Sequence, residues 1–107
     1  MKAWEIWSAD MHGNHPAVVV SNQKRVDLRP DVVILSCSTM RPGNERAEDA
    51  STVILDKADG LDWKTLCRCD LLYTVPKAEL KFRRGEVTAE RRRAISQKII
   101  QGMALSF

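Results

Sequence analysis

The sequence predicts an α+β fold, a mostly antiparallel barrel or half-barrel of short strands with one C-terminal helix packed on it. Two β-branched runs, 18–20 and 32–35, are too short for an ordinary helix and rich in residues that suit a strand. Polar, turn-rich segments separate the apolar stretches, and a helical pattern follows only after Thr88. The 107 residues, 44% of them hydrophobic, suffice for one core, so we expect a single domain over residues 1–107.

The first half of the chain predicts three strands. On the first, Trp4 and Ile6 share one face while Glu5 and Trp7 share the other. Pro16 is expected at the very start of the second, because proline cannot donate a ladder hydrogen bond. The predicted strands are 3–9, 17–21 and 32–37, joined by a short loop at 10–14 and a polar connection at 22–30.

The second half predicts three more strands and the helix. A mobile loop at 41–50 precedes them, and the fifth strand is expected to be kinked because its apolar residues do not alternate cleanly. Thr88 caps the helix, which runs to about Ala104. The predicted strands are 51–56, 66–75 and a charged edge strand at 81–87, with a turn at 58–62, a helical turn at 76–80 that begins at Pro76, and an apolar helix stripe of Ile95, Ile99, Ile100 and Met103.

Charge and cysteine content limit the setting and the partners. The net charge is +3, but residues 77–98 hold eight basic residues against three acidic ones, which favours a polyanion or an acidic protein partner. A solvated cationic face is the alternative. Three cysteines, an odd number, indicate a reducing cytoplasm and no disulfide framework. The N-terminal residues do not resemble a signal peptide, and no apolar run approaches the ~20 residues of a membrane span.

The three cysteines have two interpretations. Cys67 and Cys69 lie two residues apart on a predicted strand and face the same way, so with Cys37 they suggest a metal site. Nothing completes a usual zinc pattern, however. Buried free thiols are the favoured interpretation, and no metal or cofactor is expected.

Polar residues stand at one end of each β-branched run. His15 precedes the first run, and Ser38 and Thr39 follow the second. If the two strands pair antiparallel, the start of one lies beside the end of the other. This arrangement brings an imidazole and two hydroxyls to one rim of a sheet, a plausible site for chemistry on a phosphate ester.

Several motifs resemble the MazF/PemK family of toxins from bacterial toxin–antitoxin systems. They are, in order, WEIWSAD, HPAVVVSN, LSCSTM, GLDWKTLCRCDLLYTVPKAEL and GEVTAERRRAI. The resemblance implies an SH3-like barrel of the CcdB/MazF type, a homodimer, and metal-independent cleavage of single-stranded RNA. It also implies an antitoxin peptide that covers the RNA groove.

The resemblance assigns roles to a few positions. His15-Pro16 stands where the family usually has an Arg-Pro pair whose Arg takes part in acid/base catalysis. Ser38, with Thr39 beside it, matches the Ser/Thr that helps to hold the scissile phosphate, and Asn22 matches a polar position near the RNA. Two features depart from the family. The loop at 10–14 lacks the longer Gly-Ser-Glu segment, and Leu71 replaces a polar residue.

Cleavage of RNA by its own 2′-hydroxyl requires a base, an acid and a group that stabilises the phosphorane. Histidine serves as base or acid because its reference pKa is near ~6.5. His15 is therefore the candidate proton carrier, His12 a possible second one, and the hydroxyls of Ser38 and Thr39 the candidate phosphate ligands. The candidate RNA contacts are Trp7, His12, Asn14, Asn22, Arg41 and Tyr73.

These assignments compete with ordinary structural roles. His15 suits a solvated strand end, Ser38 a hydroxyl satisfied by backbone, and Trp7 a core position. We predict a cytoplasmic, homodimeric endoribonuclease toxin that forms a 2′,3′-cyclic phosphate, inhibits growth and is neutralised by an antitoxin. The alternatives are an RNA-binding module that does not cut and a CcdB-like toxin that acts on a protein such as DNA gyrase.

Overall fold

The computed structural model describes residues 1–11 and 13–105. In that part of the chain, six strands and two α-helices follow one another, with 3-10 turns at Lys57–Asp59 and Lys77–Glu79. The strands are β1 (Glu5–Asp10), β2 (Asn14–Val19), β3 (Asp31–Thr39), β4 (Thr52–Leu55), β5 (Thr65–Pro76) and β6 (Leu80–Glu86), and the helices are α1 (Gln23–Leu28) and α2 (Ala89–Gln101).

All strand pairs are antiparallel, in the spatial order β4-β5-β3-β2-β1-β6. The predicted α+β fold of antiparallel strands with a C-terminal helix is thereby confirmed. The charged strand β6 lies at one end of this order, as expected of an edge strand. No helix in the described ranges is long and apolar enough to cross a membrane.

The sheet buries apolar residues on both faces, because alternate residues of a strand point in opposite directions. On one face Ile6, Val18 and Leu35 pack with Ile95 of α2 in a first core cluster. On the other face Ala17, Val19 and Ile34 pack with Val26 of α1 in a second cluster. Helix α1 covers only part of this second face, and the remainder is available for a site.

Strand β5 contains the predicted kink. Leu35 of β3 pairs with Leu72, whereas Cys37 pairs with Cys67, so Ser36 alone stands opposite residues 68–71. Such a bulge bends the strand and increases its twist. The part of β5 before the bulge also pairs with β4, and the part after it pairs only with β3.

The predicted polar connection at 22–30 is wrong, because it contains α1. The Asn22 side chain caps this helix by accepting a hydrogen bond from the Arg25 N–H at 2.9 Å. The sequence did not predict this helix because it has only six residues and buries only one of them, Val26. Its stability depends on docking that residue into the second cluster.

Strand β2 and helix α2 differ from prediction at their ends. Strand β2 begins at Asn14, so Pro16 lies within it. The proline is tolerated because β3 pairs with β2 only from Ala17 onward. Thr88 caps α2 as predicted, but the helix ends at Gln101, and Met103 of the predicted stripe lies beyond it. The loop at 41–50 has no regular structure and is exposed throughout.

The interpretation of the cysteines as buried free thiols is confirmed. Cys37, Cys67 and Cys69 are all free and at most 1% exposed. A hydrogen bond with Cys37 and burial raise the pKa of the Cys67 thiol. The described residues contain no cluster of His, Cys, Asp and Glu placed to hold a metal ion.

Candidate functional site

His15 lies near the start of β2, directly after the turn that joins β1 to β2. It pairs with Ala9 of β1, and the turn contains Gly13 with a φ of +117°. A Cβ at Gly13 would stand 3.6 Å from Nε2 of His15. The imidazole therefore lies in van der Waals range of the turn, at a position where the positive φ favours glycine.

His15 of β2 and Ser38 of β3 lie near each other, since both line one surface pocket. Ala17 pairs with Ser36, where the pairing of the two strands ends, and His15 and Ser38 each lie two residues beyond that pair. Their side chains lie on the same face as those of Ala17 and Ser36, since residues two apart on a strand point the same way. The sequence predicted this juxtaposition from antiparallel pairing alone.

A surface pocket of about 400 Å³ is formed around these two residues. We call it the His15 pocket; its lining residues are Met11, His15, Ser36, Ser38 and Tyr73. Sequence reasoning did not select Met11 or Ser36. The two-residue period of β3 would have found Ser36, because it shares a face with Ser38. Tyr73, named as a candidate RNA contact, reaches this pocket from β5 and is 42% exposed.

Thr39 does not join this pocket. It follows Ser38 on the same strand, so its side chain points to the opposite face. There it lines a second pocket of about 460 Å³, together with Trp63 and Arg84. The expectation that both hydroxyls would meet the imidazole is therefore met by Ser38 alone.

Trp7 shares the face of the His15 pocket but packs against the protein. It pairs with Ala17, which pairs in turn with Ser36, so two strand spacings of about 5 Å each separate Trp7 from Ser36. Its half-buried ring packs on the second core cluster, and its Nε1 donates to Glu5 at 3.4 Å. Trp7 therefore packs in the core and also lies on the sheet face of the His15 pocket.

Glu5 is a buried carboxylate that accepts hydrogen bonds from Trp7 and Arg83. It is 6% exposed and accepts a hydrogen bond from Arg83 Nε at 2.5 Å. Burial raises its pKa, but the hydrogen bond from Arg83 and others from Lys2 and Trp7 outweigh that effect and lower the pKa overall. Glu5 is therefore ionised at neutral pH and holds Trp7 and Arg83 in place.

The remaining candidates are dispersed. Asn22 caps α1 beyond the far end of β2 from His15. Asn14 is exposed and pairs with Asp10 beside His15, and Arg41 is exposed just after β3. His12 lies outside the described residues.

The basic segment 77–98 is largely engaged in contacts within the protein. Arg91 Nη1 donates to Asp56 at 2.7 Å and also to Asp59. Lys98 Nζ donates to the carbonyl of Thr52 at 2.6 Å. Six of the eight basic side chains make such bonds; they are Lys77, Arg83, Arg84, Arg91, Arg92 and Lys98. Much of the predicted cationic surface therefore stabilises the fold.

Fold and pocket together describe a small antiparallel α+β protein with an imidazole and hydroxyls on one face of its sheet. Residues 2–103 match the family model described as PemK-like, MazF-like toxin of type II toxin-antitoxin system. The chain therefore belongs to this family of toxins. No sequence among curated proteins matches it.

Solved structures of similar fold include several toxins. A Mycobacterium tuberculosis toxin, MazF-mt6, superposes with a TM-score of 0.82 at 19% identity, over 96% of this chain and 99% of that one. An endoribonuclease in complex with its cognate antitoxin, from a mycobacterial species, gives 0.85 at 24% identity over 100% and 98%. MazE-MazF from Deinococcus radiodurans gives 0.76 at 14% identity over 99% and 97%. At these identities the likeness establishes the fold.

Proposed function

We propose that this toxin is an endoribonuclease that cleaves single-stranded RNA by metal-independent attack of a 2′-hydroxyl, leaving a 2′,3′-cyclic phosphate. The observation that supports this best is the His15 pocket, in which an imidazole shares one sheet face with the hydroxyls of Ser36 and Ser38. The group combines a proton carrier with hydrogen-bond donors for a phosphate.

In the proposed reaction His15 takes the proton of the 2′-hydroxyl, and the oxygen attacks the adjacent phosphorus. The hydroxyls of Ser38 and Ser36 donate hydrogen bonds to the non-bridging oxygens, on which negative charge develops. The bond from phosphorus to the 5′-oxygen then breaks. Tyr73, which lines the pocket from β5, supplies the proton to that oxygen; Tyr73 then regains a proton from solvent and His15 releases its proton to solvent.

Several predicted residues fit the periphery of this reaction. Asn14 and Arg41 are exposed close to the ends of β2 and β3, where they can contact neighbouring nucleotides. Trp7 lies on the same face two strands away. The second proton carrier suggested by the sequence, His12, lies outside the described residues and stays a prediction.

We also infer the partners of the protein. Membership of a toxin–antitoxin family, and solved neighbours described as toxin–antitoxin complexes, support an antitoxin that neutralises this chain. We propose that the toxin is a homodimer that inhibits growth by cutting RNA in the cytoplasm. A reducing compartment suits its three free thiols.

The test is cleavage of a mixed-sequence single-stranded RNA in EDTA by the wild type and by two variants. His15→Ala should reduce the rate roughly 10²- to 10⁴-fold, the usual contribution of a positioned acid or base. Ser38→Ala should reduce it roughly 10²- to 10³-fold, as for one donor to a developing oxyanion. Mass spectrometry of the product ends should show the cyclic phosphate.

Thr74→Ala provides the matched control. Thr74 is exposed on β5 next to Tyr73 and points to the other face, so its hydroxyl is removed without altering the His15 pocket. Its cleavage rate should equal that of the wild type. Tight RNA binding without products would instead identify a binding module. Growth arrest on expression without any effect on RNA would identify a protein target such as DNA gyrase.

A further inference from the structure

The second pocket, on the face opposite the His15 pocket, is not used by the proposed reaction. We call it the Trp63 pocket and define it by Thr39, Asp62, Trp63, Thr65 and Arg84. Its volume is about 460 Å³. Neither its tryptophan nor its arginine was selected from the sequence as a candidate contact.

The two pockets flank the same strand end. Ser38 lines the His15 pocket and the next residue, Thr39, lines the Trp63 pocket. Consecutive Cα atoms are about 3.8 Å apart, so the pockets are separated by little more than the thickness of one strand. A flexible polymer that occupies the first pocket can reach the second by passing over the end of β3.

The Trp63 pocket is held in a fixed shape by contacts beneath it. The preceding turn is fastened by Asp59, which is 1% exposed and accepts hydrogen bonds from the Thr88 N–H at 3.0 Å and from Arg91. The same turn packs directly on β6, because a Cβ at Gly85 would lie 2.0 Å from the Asp59 carbonyl oxygen. These contacts place the loop that carries Trp63 beside the arginine of β6.

The side chains of this pocket match the chemistry of a nucleotide. Trp63 is 49% exposed, so a large part of its indole surface can stack on a base. Arg84 lines the pocket and donates through Nε to Ser8 at 2.6 Å, which orients its guanidinium. Asp62 is an exposed carboxylate that can accept a hydrogen bond from a base amino group. Stacking, phosphate contact and base-edge contact are thus available in one pocket.

We propose that the Trp63 pocket binds a nucleotide of single-stranded RNA that flanks the scissile phosphate, with the strand crossing the end of β3 between the two pockets. The base stacks on Trp63 while Arg84 contacts the backbone phosphate. This inference rests on the proposed function in one respect: the path of the RNA assumes that its scissile phosphate lies in the His15 pocket. The stacking on Trp63 does not depend on catalysis.

Binding of a fluorescent mixed-sequence 2′-O-methyl RNA tests the proposal, because this RNA lacks the attacking hydroxyl and remains intact. Base stacking of about 1–3 kcal/mol corresponds to a rise in Kd of about 5- to 150-fold in Trp63→Ala, measured by fluorescence anisotropy. Trp63→Phe should keep most of the affinity. Leu28→Ala, which removes another exposed apolar side chain on α1, should bind as the wild type does.

The outcomes separate this inference from the proposed function. An unchanged Kd in Trp63→Ala overturns the subsite, even if the wild type cuts ordinary RNA through His15. Trp63-dependent binding in a protein that never cuts ordinary RNA supports the subsite and overturns the proposed catalysis. If Trp63→Ala lost binding to an acidic polyglutamate peptide but kept its RNA affinity, the pocket would be assigned to a protein partner and the proposal would be overturned.

Discussion

The His15 pocket and the corner where α2 meets the turn before Trp63 use polar residues in opposite ways. In this corner, which we call the Arg91 corner, Asp56, Asp59 and Arg91 bond to one another and to backbone. Within the described residues, the side chains of His15, Ser36 and Ser38 make no hydrogen bond to protein. The corner is thus satisfied internally, and the pocket has donors and acceptors left for a ligand.

This difference shows that charge content is a poor guide to the site in this chain. The basic segment looked like a surface for a polyanion, yet most of its side chains are engaged with the protein's own carboxylates and carbonyls. The proposed catalytic residues are an imidazole and neutral hydroxyls. Two kinds of substitution, one in each region, should therefore separate stability from activity.

The largest effect is expected from Asp59→Ala in the Arg91 corner. The buried Asp59 carboxylate accepts from Arg91, which keeps Asp56 as a partner, and from the Asp56 N–H; each buried donor left without an acceptor costs about 1–3 kcal/mol. The Thr88 N–H also loses its acceptor. Urea unfolding should show this loss of stability. A change below about 0.5 kcal/mol, the usual range for surface substitutions, would contradict it.

Ser38→Ala should reduce activity and leave the stability of the fold unchanged. Its cost in cleavage, about 2.7–4 kcal/mol for one donor to a developing oxyanion, should appear in kcat while the unfolding midpoint stays unchanged. Steady-state kinetics and urea unfolding on the same preparation measure both. A drop in stability that equals the drop in activity would show that Ser38 acts on folding.

Gly13→Ala should reduce both stability and activity, because Gly13 lies in the turn next to His15. A positive φ at a residue other than glycine costs of order 1–3 kcal/mol, and relief of that strain would shift the turn, whose Gly13 Cβ position is 3.6 Å from His15 Nε2. We expect a moderate loss of stability and a further reduction of kcat in the protein that remains folded. Gly43→Ala is the control, because Gly43 also has a positive φ but nothing lies within 4 Å of its Cβ position. It should lose stability without losing activity.

Acid titration should reveal the smallest effect, at Asp56. The hydrogen bond from Arg91 lowers the pKa of Asp56 from 3.8 to about 2. The folded state thus favours the ionised carboxylate, so its stabilisation is complete above about pH 4 and is lost as the pH falls toward 2. Unfolding free energies measured between pH 5 and 2 should decline less steeply in Asp56→Asn. Parallel curves for the two proteins would contradict this assignment.

Local features of the sequence predicted much of the fold. The six strands, the Thr88 cap and the kink in β5 follow from alternation, turn residues and one helical stripe. Helix α1 was missed because six residues with one buried side chain leave no periodic signal. The candidate site was predicted in part, since His15 and Ser38 meet while Thr39 points away. The choice between those two hydroxyls depended on which of them shares the sheet face of His15.

The sequence by itself determined the family, the succession of strands and the type of residues at the candidate site, because these depend on neighbours along the chain. The tertiary structure decided which polar residues became structural and which stayed available. It paired most of the basic segment internally, placed Ser36 and Tyr73 beside His15, and formed the Trp63 pocket behind Ser38. These outcomes depend on strand register, a bulge and helix docking, which arise from contacts between residues far apart in the chain.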